Sequence, residues 1–251
     1  MINKVITTES PVALVTGAGS GIGLAVVEKL LSQKYIVYAC TGSKTDHLKK
    51  LRNTLEEGNK KSFYIKKFDI NDSQLTTQIV QEIYKTSKRI DVLVNSAGIP
   101  YGNLFLLTKS SEMKEVFEIN FFSLLSFTQL ISRVMSRNKR GSIVNISSAT
   151  SFRADAGTLA YGSAKAALNY ATKVLAKELA SQGVRVNAVA PGVTNTAMLE
   201  RMDPNAIKEQ LESSSLKKIA SPCQIASVIM FLCSMESSHI TGQIIRVDGG
   251  Q

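Results

Sequence analysis

Cysteine is scarce in this chain, and so are long apolar runs and concentrated charge. Cys40, Cys223 and Cys233 are the only cysteines. Their odd number and wide spacing match neither a disulfide framework nor a metal site, so they read as small buried thiols. No stretch approaches the roughly 18 consecutive apolar residues of a membrane span. Met1 to Ser10 hold no apolar core of signal-peptide length, so the expected location is cytoplasmic. Lysine clusters such as Lys49-Lys50, Lys60-Lys61, Lys66-Lys67 and Lys217-Lys218 stay short. With few aromatics among them they are no nucleic-acid tail, although the formal charge is +10. Such a field attracts acidic partners, a phosphorylated cofactor or an acidic carrier protein among them.

What the sequence has is alternation. Apolar, strand-like runs at Val12–Val15, Tyr35–Cys40, Phe63–Ile65, Asp91–Val94, Ser142–Ile146, Val184–Val189 and Gln243–Val247 are separated by helical patterns. Helices are expected over Gly21–Gln33, Lys44–Glu57, Asp72–Thr86, Ser111–Arg137 and Leu159–Ser181, with Gly183 ending the last. The pattern predicts an α/β fold. It is one doubly wound domain over residues 1–251, a seven-stranded parallel sheet flanked by helices. Ligands of such sheets sit beyond the carboxyl ends of the strands. Gly17, Asp69, Asn95, Ser148 and Pro191 all follow strands.

Two motifs give that rim a chemistry. Gly17-Ala18-Gly19-Ser20-Gly21-Ile22-Gly23 follows the first strand and opens a helix, where bare backbone and free N–H groups favour a pyrophosphate. An acidic residue at the end of the second strand would bind a ribose 2′-hydroxyl. Here Cys40-Thr41-Gly42-Ser43-Lys44 offers hydroxyls and a cation instead, which favours NADP(H) over NAD(H). Tyr161 and Lys165 lie one helical turn apart, on one face. An ammonium beside the phenol lowers its pKa and makes Tyr161 a usable acid or base. Ser148 can donate to a substrate oxygen, and Asn120 can hold a water that relays protons to Lys165.

These pieces, with Asp69-Ile70, Asn95-Ser96-Ala97-Gly98 and Pro191-Gly192, resemble the short-chain dehydrogenase/reductase family over essentially the whole chain. The resemblance implies a hydride-transferring oxidoreductase of carbonyls or alcohols. Tyr161 would be its acid/base, Ser148 its substrate-orienting hydroxyl, and Lys165 its ribose ligand and pKa tuner. Asn120 would support the water relay. Asp69 and Ile70 would contact adenine. Thr194 and Thr196 would bind the carboxamide, and Ser20, Gly98 and Pro191 would complete the cofactor contacts. Ser96 departs from the pattern, where the family usually has a second asparagine.

The chain is most similar to bacterial 3-oxoacyl-(acyl carrier protein) reductases. That implies an acidic carrier protein docking on Arg133 and Lys177, though the family usually has arginine at the latter. A homotetramer is a further implication. The substrate pocket is expected along Ala149–Gly157 and under a lid at about residues 194–216, with Phe152, Met198, Leu199 and Met202 as apolar walls. Arg153 and Asp155 suit a hydroxylated or charged substrate, which keeps a sugar or polyol dehydrogenase in view. A regulator that senses NADP(H) without turnover is a reading from another class.

Overall fold

Strand β1 (Val12–Thr16) is buried from end to end, because both of its faces are covered. Its side chains alternate between two cores. Ala13 and Val15 point to one and Val12 and Leu14 to the other. In the computed structural model, which describes residues 10–201 and 203–251, the same division runs through the sheet. Strands β2 (Ile36–Thr41), β3 (Phe63–Lys67), β4 (Val92–Asn95), β5 (Gly141–Ile146), β6 (Val184–Pro191) and β7 (Ile244–Val247) complete it. The order is β3-β2-β1-β4-β5-β6-β7. Every paired register is parallel, as the alternating pattern predicts.

Helices α1 (Gly21–Ser32) and α2 (Asp46–Thr54) follow β1 and β2, and the short α3 (Glu57–Lys61) leads into β3. Then come α4 (Ser73–Ser87), α5 (Ser110–Phe117), α6 (Ser123–Arg137), α7 (Leu159–Leu179), α8 (Pro204–Ser213) and α9 (Pro222–Cys233). One core joins α1 and α9 through Leu30, Leu31, Ile225 and Ile229. The other joins α4, α6 and α7 through Ile83, Phe127, Ile131 and Ala176.

Three features depart from the sequence reading. The helix expected from Lys44 starts only at Asp46 and ends at Thr54; Leu55 turns extended and α3 begins afresh. The single helix expected over Ser111–Arg137 is interrupted by a π-helical segment, Glu118–Phe122. Helix α9 was not anticipated. It is apolar nearly all round, so no amphipathic stripe betrays it. Its start does carry a signal, a capping box between Ser221 and Gln224 with Pro222 in the first turn.

Candidate active site

Ser148 follows β5 in extended conformation and caps a short 3₁₀ turn, Ala149–Phe152. Its Oγ accepts from Thr150 N at 3.2 Å and donates to Thr150 Oγ1 at 3.1 Å. Tyr161 enters from the first turn of α7, and Lys165 follows one turn later. Lys165 is buried, and its Nζ donates to the carbonyl of Ile146 at 2.9 Å. The ammonium lies 5.7 Å from the centre of the Tyr161 ring.

Burial pushes the Tyr161 phenol up to about 12, and the neighbouring Ser148 hydroxyl pulls it the other way. Lys165 is itself perturbed: burial lowers it to about 8. A phenol and an amine sharing one dry corner are thus driven in opposite directions, each towards its neutral form.

Asn120 sits within the π segment and is fully buried. Its Nδ2 donates to Val116 O at 2.9 Å and to Ile99 O at 3.1 Å. Its Oδ1 is buried without a partner. Gly98 leaves room in front of that oxygen. A Cβ there would stand 2.5 Å from Asn120 Oδ1 and 3.5 Å from Lys165 Nζ. One small space is therefore shared by an acceptor and a donor, the geometry a bridging water needs.

The glycine loop is tied to the same rim. Gly17 has φ +62°, and a Cβ would meet the Ser96 carbonyl at 2.6 Å. Thr16 Oγ1 accepts from the N–H groups of Ser96 and Ala97, both at 3.1 Å, which fixes β1 to the end of β4. Ser20 caps α1 without a side-chain bond, and the first turn, Gly21-Ile22-Gly23, carries no acidic residue. Those N–H groups are free for an anion. Thr196 folds back over this loop, its Cγ2 within 3.0 Å of where a Gly21 Cβ would be. Thr194 is buried and bonds Gly192 O at 3.0 Å. At the end of β2, Thr41 Oγ1 donates to Lys44 O at 3.3 Å, and the Lys44 side chain is exposed. This donor set and its bare backbone fit a dinucleotide.

The remaining candidate residues range from core to surface. Asp69 is exposed and accepts from Asn71 N at 3.0 Å, with Ile70 half-buried beside it. Asn95 points into the interior, where its Nδ2 donates to Thr128 Oγ1 at 2.7 Å and Asn145 Oδ1 at 2.8 Å. That amide holds β4 to β5 and α6, and only its unpartnered Oδ1 remains free. Pro191 ends β6 in the core. On the substrate side Ala149 is buried, Phe152 is 49 % exposed, and Met198 and Leu199 are half-buried. Met202 lies outside the described residues. Arg133 and Lys177 are both exposed. Lys177 lies about 18 Å further along α7 than Lys165, so it does not border the reaction centre of its own chain. Sequence reasoning missed Arg246 on β7, whose guanidinium carbon stands 5.5 Å from the Phe152 ring centre. Nothing local in the sequence announces a contact between residues so far apart.

A family model described as enoyl-(acyl carrier protein) reductase matches residues 17–251. The chain belongs to the short-chain dehydrogenase/reductase family. Short-chain dehydrogenases/reductases are oxidoreductases of carbonyl or hydroxyl groups that use a nicotinamide cofactor. The chain is 36 % identical to a 3-oxoacyl-[acyl-carrier-protein] reductase of Aquifex aeolicus, covering 98 % of each. It is 35 % identical to one of Thermotoga maritima, over 96 % of this chain and 98 % of that one. Among solved structures it resembles ElxO with NADP bound, at TM-score 0.87 and 27 % identity, over 96 % of this chain and 98 % of that one.

Proposed function

We propose that this chain is an NADP(H)-dependent reductase of 3-oxoacyl thioesters, carried by a single nucleotide-binding domain. The observation that carries the reading is the convergence of Ser148, Tyr161 and Lys165 with Asn120 Oδ1, which shares the space above Gly98 with Lys165 Nζ. When bound, the reduced nicotinamide supplies the hydride. Tyr161 gives its phenolic proton to the substrate oxygen, and its raised pKa keeps it protonated at neutral pH. Ser148 holds that oxygen by hydrogen bond as charge develops there. Lys165, still mostly charged at neutral pH, stabilises the phenolate left behind. A water between Asn120 Oδ1 and Lys165 Nζ can return the proton.

The cofactor would lie along Gly17, Ser20, Gly21, Ile22 and Gly23, with Asp69, Ile70 and Gly98 under the adenosine and ribose portions and Thr194 and Thr196 at the carboxamide. Thr41 and Lys44 favour a 2′-phosphate, since no carboxylate follows β2 before Asp46. Names of the relatives support an acyl thioester substrate, and with it an acidic carrier protein at Arg133 and Lys177. Because Lys177 is remote from its own active site, docking there suits an assembly of several chains, a tetramer in this reading. A cytoplasmic location belongs to the same reading; among the described residues no helix is long and apolar enough to cross a membrane.

The test follows the loss of reduced-nicotinamide absorbance with acetoacetyl thioesters and with a panel of ketoses, using NADPH and NADH in parallel. Fast NADPH oxidation with the thioester is the expected result. Turnover of a ketose alone moves the assignment to a sugar or polyol dehydrogenase. No turnover, with NADPH still bound, moves it to a nucleotide sensor. Lys44→Ala should raise KM for NADPH about tenfold and leave that for NADH unchanged.

A further inference from the structure

Arg153 and Asp155 lie between Ser148 and Tyr161 in the sequence and take no part in the chemistry above. A polar loop there would ordinarily be solvated. Instead, the Arg153 side chain is only 25 % exposed. Its Nε stands 3.0 Å from Asp155 Oδ2 and its Nη2 3.3 Å from Oδ1, a two-pronged pairing that fixes the plane of the guanidinium. The remaining nitrogen, Nη1, crosses to Ser213 Oγ at 2.9 Å. Ser213 is the last residue of α8, and its hydroxyl in turn donates to Gln210 O at 2.9 Å.

The other end of this connection is stiff. Ser151 N donates to Ser148 O at 3.0 Å and Arg153 N to Thr150 O at 3.3 Å, so backbone hydrogen bonds tie residues 148 to 153 into one block. Phe152 within that block faces Arg246, which Asp248 grips at 2.6 Å. The carbonyls of Asp248 and Gly249 accept from Ser214 Oγ at 3.3 and 3.0 Å. Catalytic loop, lid end and the segment after β7 therefore close a ring.

We infer that Arg153 is a positioning residue: its guanidinium latches the end of α8 to the block that carries Ser148, so that closing the lid and aligning the substrate are one event. The inference rests on the reading of Ser148 and Tyr161 as the reaction centre. Lysine has no planar fork and loses the two-pronged pairing with Asp155 that aims the third nitrogen at Ser213.

The experiment compares the full chain with Arg153→Ala, Arg153→Lys, Ser213→Ala and the Arg153→Ala/Ser213→Ala pair. Hydrogen exchange of the peptide covering residues 204–213 is read by mass spectrometry, alongside steady-state kinetics with NADPH and acetoacetyl thioester. A charge-assisted bond is worth about tenfold in the opening equilibrium, so exchange should rise about tenfold in each single variant. The pair should show no further rise, because both changes cut one connection. Lysine should not restore the latch. KM for the thioester should rise about tenfold, with kcat changed less than about threefold. Unchanged exchange in both alanine variants overturns the latch, as does exchange that rises equally throughout the chain. Faster exchange with unaltered KM overturns the coupling to substrate. Wild-type protein that turns over no thioester would remove the proposed function, while the exchange arm would still decide the latch.

Discussion

The two ends of strand β4 carry buried polar clusters that differ in one respect. At the start, Asp91 is satisfied on every side. Its Oδ2 accepts from Val12 N and Arg89 Nε, each at 2.8 Å, and its Oδ1 pairs with Arg89 at 2.6 Å and Arg140 at 3.6 Å. At the other end, Asn95 and Asn120 each keep a buried oxygen without a partner, and Lys165 makes one hydrogen bond to a carbonyl. An unpaired buried acceptor costs stability unless a water or a ligand group meets it. The first end is closed on itself, while at the second Asn120 Oδ1 and Lys165 Nζ face one shared space.

The comparison breaks most sharply at Tyr161. Tyr161→Phe should lower kcat by about a thousandfold while leaving NADPH affinity, read by fluorescence titration, within about twofold. Substantial remaining activity would mean that the upper cluster is not catalytic. Asp91→Ala should do the converse. It leaves Arg89 and Val12 N without their acceptor and should cost about 2–3 kcal/mol, a fall of about 5–10 °C in Tm, with kcat unaltered. A large loss of kcat there would erase the distinction between the ends.

A smaller effect sharpens it. Lys165 is lowered from an ordinary 10.5 to about 8. Its protonated form is therefore disfavoured by folding, and the penalty is full below about pH 8, shrinks as pH rises, and is gone near 10.5. Lys165→Met should raise Tm by about 2–4 °C at neutral pH, part of the relief being offset by the lost bond to Ile146. That gain should fade above about pH 8, measured by calorimetry in a pH series. In the unsubstituted protein, kcat for reduction should decline over the same range as Lys165 loses its proton.

Strands β1, β2 and β4 were legible because both faces of the sheet are covered there, which writes them as nearly unbroken apolar runs, whereas β3 and β7 carry charged residues and are less buried. The proposed catalytic trio was legible because each member sits at a strand end or on one helix face. What escaped was fixed by tertiary packing. Nothing in Pro222–Cys233 distinguishes a buried helix from a buried strand except its cap. The ammonium was expected to bond the phenol, but the Ile146 carbonyl, displayed at the end of β5, is the partner it meets. The ring through Arg153, Ser213 and Asp248 joins residues distant in sequence, so no local pattern could reveal it.

The π segment at Glu118–Phe122 has a consequence for how such a chain can change. It is a helix turn holding one residue more than regular geometry allows. Deleting a single residue there would restore an ordinary helical turn and change the aim of the side chains within the segment, Asn120 among them. A deletion between Val116 and Asn120 would change their four-residue spacing, and with it the aim of the amide whose oxygen faces the space shared with Lys165. Such a deletion should lower turnover by a change in count alone, with every proposed reactive side chain still present in the sequence.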